Sequence, residues 1–208
     1  MSQVSSAAGG HHEHHDPEAN KIGMWLFLFT EVLLFGTLFI AYAVYLNWHR
    51  WDFMAGSHEL DKLMGATNTV ILLTSSLTMA LSIGALERGK KALSLIMLSG
   101  TLLFSFAFLC VKAVEWTHKY HHGIWPDAEH LGVLPYGQQL FFGLYFTMTG
   151  LHAAHVIIGA VVILFAMGLV ARGKVHQGRV DFLENTGLYW HLVDLVWIFL
   201  FPLFYLIH

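Results

Sequence analysis

Five ionisable side chains lie inside long apolar stretches of this 208-residue sequence. They are Glu31, His152, His155, His191 and Asp194. A charged side chain near the centre of a bilayer costs roughly 2.5 kcal/mol or more, so such groups usually pair with one another or serve a function. Three chemistries are open to imidazole and carboxyl groups in this setting: a metal site, a proton or ion pathway, and buried hydrogen bonds that fix helix register.

The spacing of these residues indicates which of them can lie together. His152 and His155 are three residues apart, as are His191 and Asp194, so each pair shares a helix face. Glu31 and Asp194 lie at similar depths from the same side of the membrane, which predicts a layer with His191 if their helices are neighbours. No Lys or Arg is expected deep enough to pair with these two acids. The spans also lack the Glu-x-x-His pairs that are typical of metal sites in helix bundles.

The composition places these residues in a membrane protein. Hydrophobic residues make up 56% of the chain and charged residues only 12%, against about 25% charged residues in soluble domains. Five stretches reach the length of about 20 residues that a helix needs to cross the hydrocarbon core. They cover about residues 22–46, 66–86, 92–115, 140–171 and 186–207. None alternates polar and apolar residues as barrel strands do, so the predicted fold is an all-α bundle of five transmembrane helices.

The chain is expected to form one transmembrane domain, residues 21–208, behind a disordered His-rich tail, residues 1–20. Seven Lys and Arg residues fall on the side of the tail and four on the other side. The four are Arg50, Lys62, Lys112 and Lys119. By the positive-inside rule, the N-terminus is cytoplasmic and the C-terminus periplasmic.

Histidines also cluster outside the spans. His11, His12, His14 and His15 lie in the tail, and His118, His121, His122 and His130 lie in the loop of residues 116–139. Clustered histidines can bind metals weakly, so each segment is either a metal-binding segment or a solvated, partner-facing one. The net charge of −3 gives no reason to expect a nucleic-acid partner. The single cysteine, Cys110, excludes a disulfide framework and is expected to be a buried apolar residue.

The ionisable residues belong to longer motifs. These are Gly23-Met-Trp-Leu-Phe-Leu-Phe-Thr30-Glu31-Val, Asn68-Thr69, Glu115-Trp116, Gly150-Leu-His152-Ala-Ala-His155-Val-Ile-Ile-Gly159 and Tyr189-Trp190-His191-Leu-Val-Asp194-Leu-Val-Trp197. Together they resemble subunit III of haem-copper terminal oxidases, the cytochrome c oxidase subunit III family. The matches cover roughly residues 20–208 and include all but the body of the third helix.

The resemblance implies a non-catalytic subunit III of a proton-pumping cytochrome c oxidase, in the bacterial inner membrane and the aerobic respiratory chain. The complex would reduce oxygen to water. Haem and copper would belong to subunits I and II, so this chain is expected to bind neither, and phospholipid is the ligand that remains open. Expected partners are subunit I as the main contact, subunit II, membrane lipids and other respiratory complexes. The expected roles are support of proton uptake and of turnover stability, and access for oxygen or lipid.

The resemblance also assigns individual residues. Glu31 matches the family's buried glutamate, which carbodiimide reagents modify. The remaining matches are buried polar positions rather than metal ligands: Asn68, Glu115, His152, His155, His191 and Asp194.

This chain departs from the larger family members, which have seven spans around a V-shaped lipid cleft. It has the last five, so lipid sites would need another wall from a partner. Subunit III of a quinol oxidase is the first alternative, because the motifs do not separate electron donors. A stand-alone membrane metalloenzyme that uses the histidine cluster and a small proton or solute transporter are more remote alternatives.

Overall fold

The computed structural model describes residues 17–125 and 128–207, which form helices joined by short connections. Five of the helices are long and apolar enough to cross a membrane: α1 (Pro17–Trp48), α3 (Lys62–Glu87), α4 (Lys91–His121), α6 (Tyr136–Ala171) and α7 (Asp181–Tyr205). Two short helices lie between them, α2 (Arg50–His58) and α5 (Glu129–Val133). The prediction of an all-α fold with five membrane-spanning helices is confirmed.

Two helices extend past the predicted spans. α1 is helical from Pro17, the first described residue, so it includes part of the segment that was predicted to be a tail. Residues 1–16 of that predicted tail lie outside the described residues. α4 continues to His121 rather than ending near residue 115. It ends where Gly123 adopts a φ of 70°, the left-handed conformation that commonly closes a helix.

α7 is central to the bundle and packs against α1, α2, α3 and α6. Its two fully buried tryptophans face α3, and their indole N–H groups donate to hydroxyl oxygens of that helix. Trp190 donates to Ser75 and Trp197 donates to Thr69, each over 3.1 Å. Ser75 and Thr69 of α3 therefore accept hydrogen bonds from indole N–H groups that would otherwise have no partner in an apolar interior.

α1 lies at the edge of the bundle. Its buried large hydrophobic residues are Leu28, Phe35 and Tyr42, which form one stripe at seven-residue spacing. The Tyr42 hydroxyl donates to the backbone carbonyl of Leu203 on α7. The opposite face of α1 is exposed and rich in large apolar and aromatic side chains: Trp25, Leu26, Phe29, Val32, Leu33 and Ile40. A surface of this kind is stable only against lipid or another protein.

The helix α2 folds back onto the bundle between the first two spans. Its Phe53 is fully buried and packs edge-on against Tyr42 and Phe141. Because successive spans are antiparallel, α2 lies at the end of the bundle where α4 and α7 finish; we call this the α2 end. Cys110 of α4 is exposed on the outside of the bundle, so the prediction that it is buried was wrong. The apolar run that contains Cys110 faces lipid as well as the core, and composition alone does not separate the two.

Candidate functional site: buried polar groups

Glu31 of α1 and His155 of α6 meet inside the membrane-spanning region. The Glu31 Oε2 lies 2.9 Å from the His155 Nε2, and the two side chains are 15% and 12% exposed. The other ring nitrogen, Nδ1, lies 2.7 Å from the carbonyl oxygen of Leu151. A carbonyl oxygen only accepts, so Nδ1 carries a hydrogen. The contact with Glu31 needs one more hydrogen, on the carboxyl group or on the ring, and the pair as a whole is then uncharged.

Aromatic side chains surround this pair. The Phe35 ring meets the His155 ring edge-on at 5.3 Å between centroids. The Tyr189 hydroxyl donates to the His155 carbonyl over 3.2 Å, and the Phe27 ring lies 5.8 Å from that of Tyr189. An apolar enclosure strengthens the contact of the pair, because little water competes for it. The arrangement can hold one proton as an uncharged pair, and the hydrogen can lie on the carboxyl group or on the ring.

A cavity of about 320 Å³ lies beside the pair, toward the end of the bundle opposite the α2 end. Its lining is mostly apolar and includes both Phe27 and Tyr189, which also enclose the pair. The remaining lining residues are Met24, Ile158, Val162, Phe182, Asn185 and Thr186. The cavity therefore brings an apolar space, with hydroxyl and amide groups on its wall, close to Glu31 and His155.

A second ionisable cluster lies nearer the α2 end and joins α4, α6 and α7. Lys112 Nζ donates to Glu115 over 2.9 Å and to the hydroxyls of Tyr145 and Tyr205 over 3.1 Å each. Both hydroxyls donate in turn to Glu115 Oε1, over 2.8 and 2.6 Å. All four residues are at most 2% exposed. The three ammonium hydrogens thus meet three acceptors, and the cluster is uncharged and closed.

Sequence reasoning recognised Glu115 as a buried polar position but missed its partner. It counted Lys112 among the basic residues outside the membrane, and that was wrong, because Lys112 is 2% exposed and within α4. Arg50, Lys62 and Lys119 remain at the α2 end. The spacing of Lys112 and Glu115 could have predicted this contact. Residues three apart on a helix share a face, and opposite charges on one face inside a span indicate an ion pair.

Six side chains in the described part of the chain have buried polar atoms without a hydrogen-bond partner: Ser57, Asn68, Ser94, Trp116, His152 and Asp194. Asn68, His152 and Asp194 are the three of these that the sequence motifs had singled out. His152 is fully buried, with its ring against Phe108 at 5.5 Å and Trp197 at 5.2 Å. The Ser76 hydroxyl lies near Asp194, but the geometry there does not make a hydrogen bond. The core of the bundle therefore contains hydrogen-bond donors and acceptors that have no partner among the described residues.

No hydrogen bond joins Glu31, His191 and Asp194 to one another in the described part of the chain, and their arrangement in one layer stays a prediction. Glu31 binds His155, whereas His191 Nδ1 lies 2.6 Å from the Ser76 hydroxyl of α3. The direction in which a side chain projects from α7 decides which helix it contacts. The face of α7 that carries Tyr189 meets α1, and the face that carries His191 meets α3.

The structure describes three of the four histidines in the predicted loop of residues 116–139. His118, His121 and His122 are exposed on or just after its last turn. Asp127 and the side chain of His130, which belong to the same predicted loop, lie outside the described residues. Within the described ranges, no group of three or more His, Cys, Asp and Glu side chains converges in a way that could hold a metal ion.

Comparison with known proteins identifies the family. The family model of cytochrome c oxidase subunit III matches residues 2–208. The chain is 33% identical over 196 residues to the probable quinol oxidase subunit 3 of Staphylococcus saprophyticus, an alignment that covers 93% of this chain and 91% of the relative. It is 30% identical over 201 residues to the cytochrome bo(3) ubiquinol oxidase subunit 3 of Pseudomonas aeruginosa, covering 95% and 90%.

A third relative, the haem-copper oxidase subunit I+III of Aeropyrum pernix, is 30% identical over 210 residues. That alignment covers 95% of this chain but only 24% of the longer relative. The family resemblance carried by the Glu31, His152–His155 and His191–Asp194 motifs is confirmed: the chain belongs to the cytochrome c oxidase subunit III family of haem-copper oxidases.

Proposed function

We propose that this chain is the non-catalytic subunit III of a proton-pumping haem-copper terminal oxidase of the cytochrome c oxidase type. In this role it binds no haem or copper, and it supports proton uptake and sustained turnover by the partner subunits. The observation that carries the proposal is the Glu31–His155 pair. The Glu31 carboxyl and the His155 imidazole lie 2.9 Å apart within the membrane-spanning region, where they can share one proton, and the chain belongs to the subunit III family of haem-copper oxidases.

The depth of the pair fits a role on the cytoplasmic side. Glu31 lies in the first half of α1. We place the N-terminus in the cytoplasm, because the basic residues outside the spans favour that side. The pair then lies in the cytoplasmic half of the bilayer, on the side from which an oxidase draws its protons.

The exposed apolar face of α1 is the surface that we assign to subunit I, subunit II and lipid. Trp25, Phe29 and Ile40 are 63%, 59% and 67% exposed. Contact of such large apolar side chains with water is unfavourable, so this face is expected to pack against lipid or protein. A relative whose printed name joins subunits I and III in one chain supports subunit I as the main partner. The cavity beside the pair suits a phospholipid acyl chain, with Asn185, Thr186 and Tyr189 as its polar edge. We place the complex in the bacterial inner membrane.

Subunit III of a quinol oxidase is the second candidate. Two relatives that align over nine-tenths of their length carry names of quinol oxidase subunits. The choice between these candidates concerns the electron donor of the complex and leaves the role of this chain unchanged.

Purification from native membranes in a mild detergent tests both candidates. We expect the chain to co-purify with haem-containing subunits that reduce oxygen with reduced cytochrome c. Oxidation of quinol without oxidation of cytochrome c would select the second candidate. Purification of the chain without haem-containing partners, or with stoichiometric iron or copper bound to its own histidines, would contradict the proposal.

A further inference from the structure

Two exposed histidines lie one above the other at the end of α4. His118 and His122 are four residues apart and therefore project from the same side of the helix. Their ring centroids are 4.3 Å apart, with an angle of 46° between the planes. His121, between them in sequence, points elsewhere, and its ring packs near Tyr120. The sequence singled out these histidines, and the family function does not account for them.

The hydrogen bond of His122 leaves one nitrogen free to bind a metal. Its Nδ1 lies 2.8 Å from the carbonyl oxygen of His118. Because a carbonyl only accepts, Nδ1 carries the hydrogen and the neutral ring has its lone pair on Nε2. Histidines that bind metals commonly donate their other N–H to a carbonyl in this way, which fixes the ring orientation. The ring of His118 makes no hydrogen bond within the described residues.

The electrostatic surroundings favour a cation. The helix α4 ends at His121, and the negative end of the helix dipole at a C-terminus attracts positive charge. A cavity of about 400 Å³ reaches His118, and Glu59, Asp61 and Glu115 are on its wall. Lys119 also lines this cavity, but its Nζ is bound to the backbone carbonyl of Glu59.

We propose that His118 and His122 form a two-histidine site for a divalent transition-metal ion such as Zn²⁺. Imidazole nitrogens suit zinc, copper and nickel, and a pair of histidines four apart on a helix is a known way to present two of them. No third protein ligand converges among the described residues, so water fills the remaining tetrahedral positions and the ion exchanges readily. The bound ion links two consecutive turns and holds the end of α4 in helical form. The proposal does not depend on the oxidase assignment.

The test is zinc binding by the full-length chain in detergent, without a histidine tag and with His11, His12, His14 and His15 replaced by serine. Zinc is titrated in competition with a chromophoric chelator. We expect one ion per chain. His118→Ala and His122→Ala should each weaken binding at least about tenfold, since even the loss of a supporting group around a metal costs about that much. His121→Ala is the matched control and should leave binding unchanged.

A second measurement identifies the ligands directly. Electron paramagnetic resonance of one equivalent of Cu²⁺ should show coordination by two imidazole nitrogens, reduced to one in either single variant. Circular dichroism verifies that the variants, which change exposed side chains, remain folded. Unchanged zinc affinity in the His118→Ala/His122→Ala double variant would overturn the proposal. An equal loss in His121→Ala would also overturn it, because binding would then belong to the histidine-rich surface as a whole.

Discussion

Among the acids in the membrane-spanning part of this protein, Glu115 and Glu31 have hydrogen-bonded partners that differ in kind. Glu115 accepts hydrogen bonds from Lys112, Tyr145 and Tyr205, and each donor of the lysine is used. Glu31 has one partner, His155, and a single proton between them. The first acid is 2% exposed, whereas the side chain of the second is 15% exposed and close to an apolar cavity.

This difference indicates which acid fixes the structure and which can exchange a proton. A closed network of matched charges gains nothing from moving a proton, and breaking it leaves a buried charge unpaired. An acid whose one partner is an imidazole can pass its hydrogen to that ring while the pair as a whole stays uncharged. We therefore assign the Lys112–Glu115 cluster to the packing of α4, α6 and α7, and the Glu31–His155 pair to proton handling.

The substitution Lys112→Met should have the largest effect on stability. It leaves Glu115 buried without its cation, which typically costs about 3–5 kcal/mol. The measurement is the free energy of unfolding in mixed micelles titrated with sodium dodecyl sulfate. The matched control, Lys90→Met at an exposed position, should change little. The double variant Lys112→Met/Glu115→Leu should regain part of the loss, and a double variant as unstable as the single one would argue against charge pairing as the cause.

Removing one hydroxyl from the same cluster should have an intermediate effect. Tyr205→Phe takes an acceptor from Lys112 and a donor from Glu115, and an unsatisfied buried polar group costs about 1–3 kcal/mol. The same unfolding titration measures it. Tyr189→Phe, which loses a single hydrogen bond to the His155 carbonyl, serves as the comparison and should cost less. Equal losses in the two variants would remove the distinction between the clusters.

Of these three substitutions, Glu31→Gln should change the free energy of unfolding least. Its main effect should be on the activity of the oxidase during sustained turnover. The glutamine amide can still donate to His155 Nε2, so we expect a loss of no more than about 1 kcal/mol. Haem content of the assembled oxidase should be unchanged, and activity should decline faster during prolonged turnover than in wild type. Glu87→Gln, at an exposed position, is the control. Loss of haem in Glu31→Gln would contradict an auxiliary role for this chain.

The sequence allowed the number of spans and their type to be predicted, because length and apolar content suffice for that. The family was recognisable from the spacing of His152 and His155 and of His191 and Asp194. The helix ends were less predictable, since polar aromatic residues beyond the apolar run extend α4 to His121.

The partners of the ionisable residues could not be predicted in the same way. Position along the sequence gives depth in the membrane, but contact depends on which way each helix is turned. His152 and His155 share a broad face, yet the first lies in the core against Trp197 and the second reaches Glu31 on α1. Lys112 was missed as a partner of Glu115 because it was counted with the basic residues of one side of the membrane, whereas three hydrogen bonds hold it in the core.

Carbodiimide labelling in native membranes tests the contrast between the two acids most directly. A hydrophobic carbodiimide adds to a protonated carboxyl group that it can reach from the lipid phase, and mass spectrometry of the peptides locates the adduct. The account predicts modification of Glu31, none in Glu31→Gln, and little at Glu115 or Asp194. Modification of Glu115 or Asp194 with Glu31 spared would contradict the assignment of Glu31 as the proton-exchanging acid.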